Sequence, residues 1–151
     1  MEIKNKERAF QLVIDILKEK GFKVKRIKYF NKGRHCLIDT ESNKYYVLFK
    51  HGFFYSFNKQ FPQFAKENHS GYGESINKEY LNIAIKNDAY LLFIYEDGKI
   101  YLIHSYKVKK IDLVRTQEIQ RIYNLPSFSN SREIVNEVTY SFPLNKLIRF
   151  Y

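Results

Sequence analysis

The stretch His35-Cys36-Leu37-Ile38-Asp39-Thr40-Glu41-Ser42-Asn43-Lys44-Tyr45-Tyr46-Val47-Leu48-Phe49-Lys50 decides the fold. Two strand-forming runs, from about His35 to Thr40 and from Tyr45 to Lys50, flank the polar segment Glu41-Ser42-Asn43-Lys44. That pattern predicts an antiparallel hairpin. A tight turn centred on Ser42-Asn43 pairs Asp39 with Tyr46, Leu37 with Leu48 and His35 with Lys50. Shifting the turn by one step places Asp39 opposite Leu48. In either register His35, Asp39 and Lys50 share one face, because strand side chains alternate.

Upstream, Phe10, Val13, Ile14 and Leu17 recur at helical spacing and predict a helix from about Asn5 to Lys20. Asn5 is its expected N-cap, Glu7 favours the positive end of the dipole, and Gly21 suits the left-handed stop. Phe22 to Phe30 reads as a strand whose alternation slips at Arg26-Ile27, the mark of a bulge. Asn31-Lys32-Gly33 is a turn.

Downstream, Gly52 to Gly73 is irregular and holds Phe53, Phe54, Phe57, Phe61 and Phe64. A loop this aromatic packs on the core or contacts a ligand. Ser75 is the expected cap of a second helix over Ile76 to Lys86. Ala89 to Tyr95 is a continuous apolar run, as in a strand buried on both faces. Glu96-Asp97-Gly98 turns the chain back into a strand from Lys99 to Tyr106. Beyond it, the pattern predicts a short helix around Thr116 to Tyr123, a loop over Pro126 to Ser131 and a strand over Ile134 to Phe142. A terminal helix from Leu144 to Phe150 is expected after Pro143. The expected class is α/β, a mixed sheet flanked by helices in the order α-β-β-β-α-β-β. One domain is expected over residues 1–151, with a core at about 5–106 and a C-terminal extension at 107–151.

Charge supplies the first functional clue. The 151 residues carry 26 Lys+Arg against 16 Asp+Glu, a formal net charge of +10, and such a domain usually meets a polyanion. The lysine-rich composition also fits an AT-rich coding bias. A single cysteine, Cys36, excludes an intramolecular disulfide and any zinc site built on paired cysteines. No apolar run approaches a membrane span, and Met1 to Lys6 lacks a signal-peptide stretch. These features lead to the expectation of a cytoplasmic domain with no membrane partner. Nucleotide-binding loops and zinc-protease or hydrolase motifs are absent from the sequence.

Basic residues interleaved with aromatics gather at Lys23, Lys25, Arg26, Lys28, Lys32 and Arg34, around Tyr29 and Phe30, and again at Lys59 and Lys66. Cations neutralise phosphates and aromatics stack on unpaired bases, so these eight are the candidate nucleic-acid contacts. Lysine on a strand edge also blocks aggregation. An Asp and a Lys on one face of adjacent strands, near a helix bearing Glu7, are the components of a metal-dependent hydrolase.

With Glu7 early in the first helix, Asp39 in the second strand and Lys50 closing the third, the chain from about Glu7 to Tyr106 resembles the PD-(D/E)XK nuclease superfamily. That superfamily includes restriction endonucleases and archaeal Holliday-junction resolvases. The resemblance implies a restriction-endonuclease-like fold and an endonuclease that hydrolyses DNA phosphodiesters with Mg²⁺ or Mn²⁺, often as a homodimer. It implies Glu7, Asp39, Glu74 and Lys50 as catalytic residues, with Glu7, Asp39 and Glu74 as metal ligands. The sequence departs from the pattern at Leu48, where an acid is expected two residues before the lysine. Asp39 also falls near the end of its strand rather than the beginning. Glu74 and Glu79 are the candidates to replace the missing carboxylate. Two alternatives stand beside the enzyme: a catalytically inactive DNA-binding module on the same fold, and a protein-interaction domain using the aromatic loop 53–64.

Overall fold

A computed structural model describes residues 2–50, 73–110, 115–124, 132–143 and 146–151. The first helix, α1 (Lys6–Glu19), is capped by Asn5, whose side chain accepts the Arg8 N–H at 2.9 Å. Gly21 follows with φ +86, which only glycine adopts without strain. Ala9, Phe10, Val13, Ile16 and Leu17 are the buried stripe of α1.

Strands β1 (Val24–Phe30), β2 (His35–Thr40) and β3 (Lys44–Lys50) form an antiparallel meander. The chain then enters β4 (Gly73–Asn77), helix α2 (Lys78–Lys86), strands β5 (Tyr90–Tyr95) and β6 (Ile100–His104), and helix α3 (Ser105–Lys110). Strands β7 (Arg115–Asn124), β8 (Arg132–Pro143) and β9 (Ile148–Arg149) complete the described elements. A six-stranded mixed sheet runs β1-β2-β3-β5-β6-β9, with β3 and β5 parallel and the other pairs antiparallel. A three-stranded antiparallel sheet runs β4-β8-β7. The α/β class with a mixed central sheet is therefore as expected.

The large sheet is buried on both faces. Cys36, Ile38, Tyr45, Val47, Leu92, Ile94 and Ile100 pack under α1. Leu37, Tyr46, Leu48, Leu91, Phe93 and Tyr95 form the other face, covered by α2 and by Ile76 and Phe142 of the small sheet. This double burial is why Ala89 to Tyr95 is apolar throughout.

Several expectations are corrected. The β2–β3 register pairs Asp39 with Lys44, Leu37 with Tyr46 and His35 with Leu48. The turn lies one residue earlier, on Glu41-Ser42, because Thr40 closes it. The Thr40 hydroxyl donates to the Asn43 carbonyl at 2.7 Å and accepts the Asn43 N–H at 3.0 Å. Ser75 and Ile76 belong to β4, so α2 starts later, and Asn77 caps it by accepting the Glu79 N–H at 2.8 Å. The strand expected to reach Tyr106 ends at His104 and passes into α3.

Thr116 to Tyr123 is strand, not helix: β7 pairs with β8 from Arg115↔Ser141 to Asn124↔Arg132. A helix that short is marginal alone, and sheet pairing overrides its propensity. The expected terminal helix is replaced by β9, which extends the sheet through Leu102↔Ile148. The bulge near Arg26 is present, as a register shift between Val24 and Arg26. The aromatic loop and the expected 126–131 loop lie outside the described residues, apart from Gly73.

Candidate functional site

Lys50 closes β3 and lies directly opposite Tyr95 in the parallel pair with β5. Strand alternation puts both on the face that the small sheet covers. Glu74 enters from β4, where Glu74 and Ile76 share one side of the strand and Phe142 of β8 opposes Glu74. The Phe142 ring, 6.1 Å from Phe93, packs the two sheets together at this point. A carboxylate, an ammonium and a phenol from three strands therefore meet in the apolar layer.

Their geometry is tight. The Lys50 Nζ stands 3.2 Å from Glu74 Oε1 and donates to the Ser75 carbonyl at 2.8 Å. Glu74 Oε1 also accepts the Ser75 N–H at 2.8 Å, and the Tyr95 hydroxyl donates to Glu74 Oε2. The Glu74 side chain is 0% exposed and that of Lys50 is 21% exposed. The Lys50 ammonium also sits 5.5 Å from the Phe93 ring centroid. Burial, then the neighbouring Glu74 carboxylate, pushes the Tyr95 phenol well above the usual range. A carboxylate this enclosed needs a cation beside it, and Lys50 is that cation.

The other candidate acids lie elsewhere. With Asp39 opposite Lys44, six residues separate its row from Lys50, about 20 Å along the strand. Asp39 instead faces Arg26 across β1–β2, with Oδ2 3.7 Å from Nη2. Glu7 is exposed on α1, which covers the opposite face of the large sheet. Glu79 sits in the first turn of α2. Leu48 is a core residue, 3% exposed, packed on the face that carries Lys50. The structure thus joins Lys50 to Glu74 and does not join Asp39 or Glu7 to them. Among the described residues no group of three or more His, Cys, Asp or Glu side chains is arranged to hold a metal.

His35 lies one row from Lys50 on the same face, with its ring 4.1 Å from Tyr80 and 6.0 Å from Tyr46. Burial, followed by the charges of Lys50, Arg34 and Lys6, lowers its pKa to about 4. Its Nδ1 and the Tyr46 hydroxyl are buried without a hydrogen-bond partner among the described residues. His104 pairs with Asp88 at 3.2 Å.

The basic candidates fall together. Lys23 precedes β1, Lys25, Arg26 and Lys28 lie on it, and Lys32 and Arg34 occupy the turn that follows; all six are exposed. β1 is the outermost of the described strands of the large sheet. Among the described residues, Lys23 reaches Glu41 at 3.8 Å and Arg26 reaches Asp39 at 3.7 Å. Such surface pairs are weak and do not neutralise the edge. Tyr29, 57% exposed, stands among them. Lys59 and Lys66 lie outside the described residues.

Sequence reasoning missed Tyr95 and Ser75 as partners of the pair. Tyr95 carried a faint signal, a hydroxyl-bearing residue closing an apolar strand; Ser75 acts through its backbone and carried none. Comparison with known proteins gives no match: no family, no characterised protein and no solved structure corresponds to the chain.

Proposed function

We propose that the protein binds DNA through the edge formed by β1 and the β1–β2 turn. The observation that carries this reading is the exposure of Lys23, Lys25, Arg26, Lys28, Lys32 and Arg34 along one sheet edge of a chain with net charge +10. A row of cations matches a phosphate backbone, and each phosphate it neutralises releases condensed counterions. Affinity therefore falls steeply as salt rises. Fluorescence anisotropy of a labelled duplex across a salt series tests this. A slope near zero in log affinity against log salt removes the proposal.

A second reading is favoured by the Lys50–Glu74 pair: divalent-metal-dependent hydrolysis of DNA on a restriction-endonuclease-like fold. Its support is the antiparallel meander β1-β2-β3 followed by the parallel strand β5, with a lysine closing β3 and a buried carboxylate against it. In this reading Glu74 would have to exchange its present partners to hold Mg²⁺ or Mn²⁺, which would supply an activated water, and Lys50 would stabilise the developing charge. The test incubates plasmid and branched DNA with the protein in Mn²⁺, Mg²⁺ or EDTA. Metal-dependent cleavage abolished by Glu74→Gln supports an enzyme. Salt-sensitive binding with no cleavage in either metal leaves a binding module on the same fold.

A further inference from the structure

A cleft of about 430 Å³ opens between the first turns of α1 and the β1–β2 turn, lined by Lys6, Glu7, Phe10, Tyr29, Lys32 and Gly33 among others. We propose that this cleft takes one unpaired nucleotide of the bound strand, with the base stacked on Tyr29 and its phosphate between Lys6 and Lys32. The inference rests on the DNA-binding reading and adds the strand state that the protein recognises.

Three observations converge on it. The volume lies within the range of about 300–1,000 Å³ typical of small-ligand sites. Tyr29 is 57% exposed at the wall, and its ring is braced by Phe10 at a centroid distance of 6.3 Å. An exposed aromatic held from behind is a stacking platform, and stacking tolerates any base because every base has a π-face. The cleft is also cationic at its mouth. Lys6 Nζ lies 3.8 Å from the position a Cβ would take at Gly33, so the ammonium stands over the open side of the turn. Gly33 holds φ +81, and Asn31 and Lys32 also have positive φ, which shapes the turn against the helix. Lys6 and Lys32 make no ion pair with a described residue.

The cleft continues the basic edge. Lys6 and Arg34 both bear on His35 together with Lys50, so cations gather at this end of the sheet. Glu7, an acceptor only, and Gln11 provide polar groups on the wall for a base edge. A continuous duplex offers no free base, so a gap, a loop or a single strand is the form the cleft accepts.

The test compares a short mixed-sequence single strand with a blunt duplex of the same length, both fluorescently labelled. Tyr29→Leu keeps an apolar cover for Phe10 and removes the stacking ring; Tyr29→Phe keeps the ring. Tyr29→Leu is expected to weaken single-strand binding by about 5- to 100-fold and to leave duplex binding unchanged. Tyr29→Phe is expected to bind both as the wild type does. Unchanged single-strand affinity in Tyr29→Leu, or an equal loss on both substrates, overturns the inference while DNA binding stands. If the wild type binds neither substrate, the DNA-binding reading fails and the cleft proposal falls with it.

Discussion

The Glu74 carboxylate pairs with the Lys50 ammonium and accepts from the Ser75 N–H and the Tyr95 hydroxyl, so one charge organises three strands. Removing one partner of a buried ion pair leaves the other uncompensated, which costs about 3–5 kcal/mol. The Lys50 side chain is partly exposed, so Lys50→Ala belongs at the lower end, about 3 kcal/mol. Its melting temperature should fall by roughly 6–12 °C, read by calorimetry. Glu74→Gln retains an acceptor for the Ser75 N–H and should cost less.

His35 predicts a pH dependence. Its pKa drops from the ordinary 6.5 to about 4 on folding. Above pH 6.5 both folded and unfolded chains hold it neutral. Between pH 6.5 and 4 only the unfolded chain takes the proton, so stability falls as pH falls. His35→Phe should lose less stability than the wild type across that window in urea titrations. Parallel curves would show that His35 contributes nothing.

At the scale of elements, α1 was legible because its apolar spacing, cap and stop signal agree. The β2–β3 hairpin was legible in position but not in register. Register followed from one hydroxyl, since Thr40 brackets the turn with Asn43 and thereby sets Asp39 against Lys44. Thr40→Val removes both hydrogen bonds and should cost about 1–2 kcal/mol, measured by chemical denaturation. A neutral result would mean that side-chain packing, not this hydroxyl, sets the register. The strand expected over Ile134 to Phe142 is present within β8, but the expected helix over Thr116 to Tyr123 is strand β7, because the pairing that holds β7 is long-range and leaves no local signal. Ser75 offers capping chemistry two residues ahead of Asn77, but it lies within β4, so Asn77 is the residue that caps α2.

For the whole molecule, the candidate site was half legible. Lys50 and Glu74 stood out singly, but their meeting depends on a small sheet closed by β8, far along the chain. Asp39 stood out equally but lies on β2, opposite the far end of β3 from Lys50. The basic edge was more legible, because a run within one strand needs no tertiary information beyond that strand's place at the sheet margin. The most direct measurement of DNA binding through that edge is the salt dependence of duplex affinity for the wild type and for Lys25→Ala/Lys28→Ala/Lys32→Ala. The wild type should show a steep negative slope, shallower in the triple variant by about 0.9 for each lysine that contacts a phosphate. A wild-type slope near zero, or an identical slope in the variant, would contradict it.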